Sequence, residues 1–231
     1  MNYELDDEIP IRELFRSLTD SGLRAPFEGF RSAYTESRRK FRTIRYESLL
    51  EVTNTVWLAD ALEGLDSHPP LKQQDLEIAV GAAFRPFSAS TALLEGSLDV
   101  LEAASRRFKL GLVTNFTYAP VVRGLLDRLG IRKYFQAVAI SHEVGYRKPH
   151  PRIFEAALLA LSTPPSEAVM VGNDPLEDIA GAKRLGLGAI LVTTSKYYED
   201  QQRAVTPDAQ PDVILGGIDE LEPLLGDPAN D

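Results

Sequence analysis

The fold is decided by one stretch in the last third of the chain, AVMVGNDPLEDIAGAKRLGLGAILVT (residues 168–193). Its first five residues (168–172) and its last five (189–193) are apolar runs with the length and residue types of buried strands. Pro175 predicts the start of a helix between them, running to about Leu185, because proline is favoured at the first helical position. A strand, a helix and a second strand in this order are typical of a parallel β-sheet.

The same alternation of apolar runs and helical stripes occupies the rest of the chain after residue 86. Further predicted strands are LGLVTN (110–115), AVAI (137–140) and DVIL (212–215). A helix opening at Pro151 and a final helix over 217–225 belong to the same pattern. Near-continuous apolar strands alternating with helices indicate a parallel sheet covered on both faces. We therefore expect an α/β fold with a Rossmann-like parallel sheet.

Residues 8–85 have a different composition and pattern: they are rich in helix formers and poor in strand patterns. Ile11, Leu14, Phe15 and Leu18 recur at helical spacing. This pattern predicts an all-helical unit over 8–85, beside a core made of residues 86–231 and 1–7.

Composition excludes several classes of protein. The 231 residues are 44% hydrophobic and 26% charged, close to an average globular chain. The 25 basic and 34 acidic residues give a net charge of −9, which argues against a nucleic-acid or anionic-membrane partner. Cysteine is absent, so thiolate metal sites and cysteine nucleophiles are excluded. The chain has neither an apolar run long enough to cross a membrane nor a signal-peptide core, and we expect a cytoplasmic protein.

Polar side chains follow three of the predicted strands. Thr114 and Asn115 follow the first, Lys148 lies in the loop after the second, and Asp174 and Asp178 follow the third. In open α/β sheets ligands bind beyond the carboxyl ends of the strands, so we expect these groups to converge. A hydroxyl and an ammonium suit phosphoryl oxygens, and two carboxylates one helical turn apart suit Mg²⁺.

Each of these residues also has a purely structural interpretation. Asp174 before Pro175 suits a helix N-cap, and Asp178 suits a favourable charge in the first helical turn. Thr114 could satisfy a strand end, and Lys148 could lie in an exposed turn. From the residues alone, both interpretations stay open.

Three of these stretches resemble motifs of one family. LVTNFT (112–117), YRKPHPRIF (146–154) and VGNDPLEDIAGAKRLGL (171–187) resemble motifs two, three and four of the haloacid dehalogenase superfamily. The resemblance covers roughly residues 87–215, and the helical stretch 8–85 resembles the cap that this superfamily inserts after its first strand. Membership implies a hydrolase, in most cases a Mg²⁺-dependent phosphatase.

The resemblance also implies roles for single residues. It makes Thr114 the hydroxyl that binds a phosphoryl group and Lys148 the cation that neutralises its charge, with Asn115 beside them as a substrate-binding residue. It makes Asp174 and Asp178 the acids of a magnesium site, although many members have the first acid where this chain has Asn173. The implied partner is a small phosphorylated or anionic metabolite.

Motif one of the superfamily, Asp-x-Asp-x-Thr with the nucleophilic aspartate, occurs nowhere in the chain. In one alignment Glu4, Asp6 and Glu8 are its altered remnant. In the other, residues 1–3 follow a motif that the chain lacks. A strand needs about five to six residues, and only three precede Glu4, so we favour the second alignment.

A core without most or all of its first strand has two expected consequences. It is less stable than a longer form, or another strand fills the place through dimerisation or strand exchange, which makes a homodimer an expected partner.

Without the nucleophile we expect negligible phosphatase turnover. Three functions stay open: a Mg²⁺-dependent phosphatase when its nucleophile strand is present, a non-catalytic pseudoenzyme that binds or regulates, and a metal-independent 2-haloacid dehalogenase.

Overall fold

A computed structural model describes residues 8–193 and 210–225. The chain forms two compact units, Met1–Thr91 with Phe116–Leu125 and Ala92–Asn115 with Leu126–Asp231. The helical unit thus takes in Phe116–Leu125 in addition to the predicted stretch 8–85. The alternative remnant of motif one, Glu4 and Asp6, lies outside the described residues.

Helices build the first unit. In chain order they are α1 (Glu8–Ser21), α2 (Phe27–Ser48), α3 (Asn54–Leu62), α4 (Gln73–Ala83) and α5 (Arg85–Ser90). Ile11, Leu14 and Leu18 of the predicted helical stripe are buried in its core. Phe30 and Tyr34 of α2 stack there with their ring centroids 5.9 Å apart. The predicted helical character of this stretch is confirmed.

Within residues 8–193 and 210–225, five strands belong to the second unit, and the paired strands are parallel. They are β1 (Gly111–Thr114), β2 (Ala137–Ile140), β3 (Val169–Gly172), β4 (Gly188–Val192) and β5 (Val213–Leu215). Within the described residues β1 pairs with β2, and β3, β4 and β5 pair in that order. Thr114 lies opposite Ile140 and Gly172 opposite Leu191, so the carboxyl ends of paired strands are level. The predicted parallel arrangement is confirmed, but the described strands form a two-stranded and a three-stranded sheet.

Helices connect these strands. They are α6 (Ser97–Arg107), α7 (Ala119–Arg128, which runs from the first unit into the second), α8 (Ser141–Val144), α9 (Pro151–Leu161) and α10 (Gly181–Arg184). A π-helix, Pro175–Ala180, leads directly into α10, and short 3₁₀ turns occupy Arg132–Tyr134, Pro165–Glu167 and Asp219–Leu225. The predicted starts at Pro151 and Pro175 are confirmed, whereas the predicted final helix is a 3₁₀ turn. Every helix in residues 8–193 and 210–225 is too short or too polar to cross a membrane.

Strand β4 shows that both faces of its sheet are covered. Ala189 and Leu191 pack against α9 and the helix after β3. Ile190 and Val192 pack against α6 and the 3₁₀ turn Asp219–Leu225. Successive side chains of a strand point to opposite faces, so this alternation places helices on each side of the three-stranded sheet.

Strands β1 and β3 are less buried than their neighbours. Their residues are exposed or half-buried, and the side chain of Val169 is 58% exposed, whereas β2 and β4 each contain three buried residues. Among the described residues, each of these two strands has a partner on one edge alone. Strand β2 also has one partner strand there and still contains three buried residues, so edge position by itself does not set the burial of these strands.

Candidate functional site

Asn115 follows the end of β1 and holds the backbone of Lys148. Its Oδ1 accepts a hydrogen bond from Lys148 N at 2.7 Å, and its Nδ2 donates to Lys148 O at 3.1 Å. The same Nδ2 donates to Glu177 Oε2 at 2.9 Å. The amide thus joins the end of β1 to the Lys148 loop and to the helix after β3. We call these three bonds the Asn115 clamp.

Lys148 and Asp178 form a buried ion pair. Lys148 Nζ donates to Asp178 Oδ1 at 2.5 Å, and the two side chains are only 11% and 4% exposed. Removing a charge from water is costly unless an opposite charge and hydrogen bonds compensate. Each of the two side chains therefore compensates for the burial of the other.

The second oxygen of Asp178 is held by the backbone at the end of β3. Asp178 Oδ2 accepts from the N–H groups of Asn173 and Asp174, each at 3.0 Å. Gly172 makes this approach feasible, because a Cβ at that position would lie 2.4 Å from Asp178 Oδ2. Asp178 is thus fixed at both oxygens, with its carboxylate packed on the strand backbone.

Asp174 caps the helix that follows β3. Its Oδ1 accepts from Leu176 N at 2.9 Å and from Glu177 N at 2.8 Å. A carboxylate at an N-cap satisfies backbone N–H groups that have no partner within the helix. The first turn is wide, since Ile179 N donates to Asp174 O, five residues earlier. Of the two interpretations that the sequence left open for Asp174, the capping contact is present.

Glu177 and Arg147 belong to this cluster and were missed from the sequence. Arg147 Nη2 lies 3.3 Å from Glu177 Oε1, and the Arg147 side chain is 7% exposed. Burial raises the pKa of Glu177, and the Arg147 charge opposes this shift. The Asp174 charge raises that pKa further, while the Lys148 charge and the Asn115 hydrogen bond lower it. The sequence signal that could have indicated them is their place directly before Lys148 and Asp178 in the chain.

The predicted site residues all lie in the second unit. Asn115, Lys148 and Asp178 are linked by hydrogen bonds, and Asp174 meets Asp178 through its N–H. Thr114 is the half-buried last residue of β1, directly before Asn115. The structure places these residues at the carboxyl ends of β1 and β3, and their catalytic, substrate-binding and metal-binding roles stay predictions.

Asp174 and Asp178 do not by themselves form a magnesium site. Both Asp178 oxygens accept hydrogen bonds from Lys148 or the backbone, and Asp174 Oδ1 caps a helix. Within residues 8–193 and 210–225, no group of three histidine or acidic side chains is placed to hold a metal ion. Mg²⁺ prefers six oxygens in near-octahedral geometry, so it would need ligands beyond these two carboxylates.

Known proteins similar in sequence to this chain include phosphatases. The glyceraldehyde 3-phosphate phosphatase of Methanothermobacter thermautotrophicus is 35% identical over 62% of this chain and 60% of that protein. The phosphoserine phosphatase of Thermus thermophilus is 37% identical over 55% of this chain and 48% of that protein. The matched region thus spans about half of the length of these two relatives. Human haloacid dehalogenase-like hydrolase domain-containing protein 3 is 29% identical over 86% of this chain and 78% of that protein.

Solved structures share the fold. The HAD-hydrolase YfnB from Bacillus subtilis, solved bound to magnesium, has a TM-score of 0.60 and 17% identity over 98% of this chain and 94% of that one. CbbY from Rhodobacter sphaeroides, solved in complex with phosphate, has a TM-score of 0.54 and 26% identity over 87% and 92%. The model of the family described as haloacid dehalogenase-like hydrolase matches residues 11–186. Since this match covers well over half of the sequence, the chain belongs to the haloacid dehalogenase-like hydrolase family.

Proposed function

We propose that the cluster at the carboxyl ends of β1 and β3 binds the phosphoryl group of a small metabolite. The proposed activity is that of a phosphatase when a nucleophilic aspartate is present. The observation that carries the proposal is the buried Lys148–Asp178 pair, held next to the end of β1 by the Asn115 clamp. Two relatives named as phosphatases, and a neighbour solved with phosphate, support it.

Each residue has a defined task in this proposal. The Thr114 hydroxyl donates a hydrogen bond to a phosphoryl oxygen, and the Lys148 ammonium neutralises the charge on the group. Asp178 holds the ammonium in place through their hydrogen bond while the substrate enters. Hydrolysis by the family's route further requires a carboxylate that accepts the phosphoryl group, and the Asp-x-Asp-x-Thr motif that supplies it is absent from this sequence.

Phosphate binding tests the proposal directly. Inorganic phosphate added to the ¹⁵N-labelled chain should give saturable NMR shifts at residues around Thr114 and Lys148. The Thr114→Val variant should bind about tenfold more weakly, since a hydrogen bond to a charged group is lost. Thr163→Val is the matched control, because Thr163 is also half-buried but precedes β3 at the amino end of the sheet. Absence of saturable binding, or equal weakening by both variants, would refute the proposal.

A pseudoenzyme is the second candidate, and it applies if no Asp-x-Asp-x-Thr motif precedes Met1. The reading frame upstream of the Met1 codon separates the two. If it encodes an apolar strand ending in Asp-x-Asp-x-Thr, the extended protein should hydrolyse phosphate monoesters, with Lys148 and Thr114 required. If a stop codon intervenes, we expect phosphate binding without turnover.

Magnesium dependence is a separate question for the same assays. In the chain as printed, phosphate affinity should be the same with added Mg²⁺ and with a chelator, because Asp174 and Asp178 are engaged by protein donors. In an extended, active protein, loss of turnover with chelator would support the phosphatase over a 2-haloacid dehalogenase.

A cytoplasmic location also stays a prediction, which cell fractionation tests.

A further inference from the structure

The side chain of Asn115 is fully engaged as a donor by the protein itself. An asparagine amide has two N–H groups, and those of Asn115 donate to Lys148 O and Glu177 Oε2. Its carbonyl oxygen accepts from Lys148 N. Substrate binding through this amide would require at least one of these bonds to break, so its contacts are those of a support for Lys148.

Glu177 and the Lys148 peptide group favour the same orientation of the Asn115 amide. A carboxylate accepts hydrogen bonds and does not donate them, so the NH₂ end of Asn115 must face Glu177. Only then does the carbonyl end face Lys148 N. With the amide rotated by 180°, its oxygen would face both Glu177 Oε2 and Lys148 O, which are acceptors. The carboxylate thus excludes the orientation in which Asn115 cannot hold Lys148.

Glu177 is itself held in place from two sides. Its Oε1 lies 3.3 Å from Arg147 Nη2, and its backbone N–H donates to Asp174 Oδ1 at 2.8 Å. Its side chain is only 29% exposed. Glu177 is therefore a fixed acceptor that has restricted freedom to turn into solvent.

We propose that Glu177 is a positioning residue, which acts through Asn115 to fix the Lys148 backbone and so to aim the Lys148 ammonium at the phosphoryl site. This inference rests on the proposed function for its effect on ligand binding. Glu177 touches neither the phosphoryl group nor the Lys148 ammonium in this scheme. What it supplies is the acceptor that orients Asn115, and its negative charge is not required.

The test compares two changes at Glu177 with a control elsewhere. Glu177→Ala removes the acceptor, and Glu177→Gln retains an acceptor oxygen without the charge. Glu167→Ala changes an exposed glutamate just before β3. Inorganic phosphate affinity should fall about fivefold in Glu177→Ala, the effect of one ordinary hydrogen bond, and stay within about twofold in Glu177→Gln and Glu167→Ala. Adding Glu177→Ala to Asn115→Ala should cause no further loss, because the two residues act in series.

A second readout needs no ligand. The amide resonance of Lys148 reports its hydrogen bond to Asn115, and it should shift in Glu177→Ala and Asn115→Ala but not in Glu177→Gln. If wild-type protein binds no phosphate, the proposed function fails, and the Lys148 resonance still decides whether Glu177 positions this backbone. Unchanged resonance in Glu177→Ala, unchanged phosphate affinity in a wild type that binds, or loss of both in Glu177→Gln would overturn the inference.

Discussion

Gly172 leaves no room for a side chain at the site. A Cβ there would lie 2.4 Å from Asp178 Oδ2 and 2.5 Å from Asp178 Cβ, and Asp178 is held at both oxygens. Gly172→Ala should therefore lower the free energy of unfolding by about 1–3 kcal/mol, measured by chemical denaturation.

Gly124→Ala is the control for this prediction. Gly124 is exposed within α7, and no atom lies within 4 Å of the Cβ it would gain. Alanine has the higher helix propensity, so this variant should be more stable by about 0.5–1 kcal/mol. Equal effects at the two glycines would contradict the steric explanation.

Glu177 should give the stability of the chain a specific pH dependence. Burial raises its pKa above the ordinary value of 4.5, so the folded chain holds this proton more tightly than the unfolded chain. The contribution of Glu177 to the free energy of unfolding is thus present below pH 4.5 and lost as pH rises through the raised pKa.

The Glu177→Gln variant isolates this contribution, because glutamine does not titrate. The free energy of unfolding of the wild type minus that of the variant should fall with rising pH across this window, measured by denaturation at a series of pH values. A Glu177 difference that rises with pH would mean that its charged form is the one the fold favours.

At the scale of elements, the helix after β3 depends on its cap. Asp174 accepts two backbone N–H groups at the first turn. Asp174→Ala should lower the free energy of unfolding by about 1 kcal/mol, whereas Asp174→Ser should retain most of the stability because serine is also a good N-cap. Thermal and chemical unfolding check this. Asp127→Ala, at an exposed position late in α7, should change stability by less than about 0.5 kcal/mol. Equal losses in Asp174→Ser and Asp174→Ala would rule out capping as the main role.

The strands were predictable because their signal is local. The predicted strand at 137–140 is β2 to the residue, and the other four predicted strands differ from the observed ones by one residue at one or both ends. Short apolar runs between prolines, glycines and charges give this pattern without knowledge of the fold. The change near residue 86, from helical patterns to alternating strands and helices, is likewise visible in the local sequence alone.

The site was only partly predictable because its contacts join distant residues. Motif resemblance indicated Lys148 and Asp178, which do form a pair. It could not indicate that Asn115 holds the Lys148 backbone, or that Glu177, 62 residues from Asn115, orients it. A glutamate in a first helical turn has no sequence signal that distinguishes a buried acceptor from a solvated charge. Whether Asp174 caps a helix or binds a metal could not be decided from the sequence either, because it depends on three-dimensional contacts.

For the molecule as a whole, the split between the two sheets should be visible in hydrogen exchange. Successive N–H groups of a strand point to alternate sides, and among the described residues β1 and β3 have a partner strand on one side, whereas β4 lies between β3 and β5. We expect NMR-detected exchange to be slow throughout β4 and to alternate between slow and fast residues along β1 and β3. Uniform protection along β1 and β3 would instead indicate that a further strand pairs with them, as the expected homodimer could provide.

The Asn115 clamp also has a consequence for how such sequences can diverge. Aspartate and leucine have nearly the shape of asparagine, but aspartate would set an acceptor against two acceptors, and leucine would satisfy none of the three partners. What position 115 specifies is therefore polarity rather than size. A relative whose residue at 177 is not an acceptor has lost one of the three partners that favour an amide at 115. Positions 115 and 177 should thus covary among related sequences.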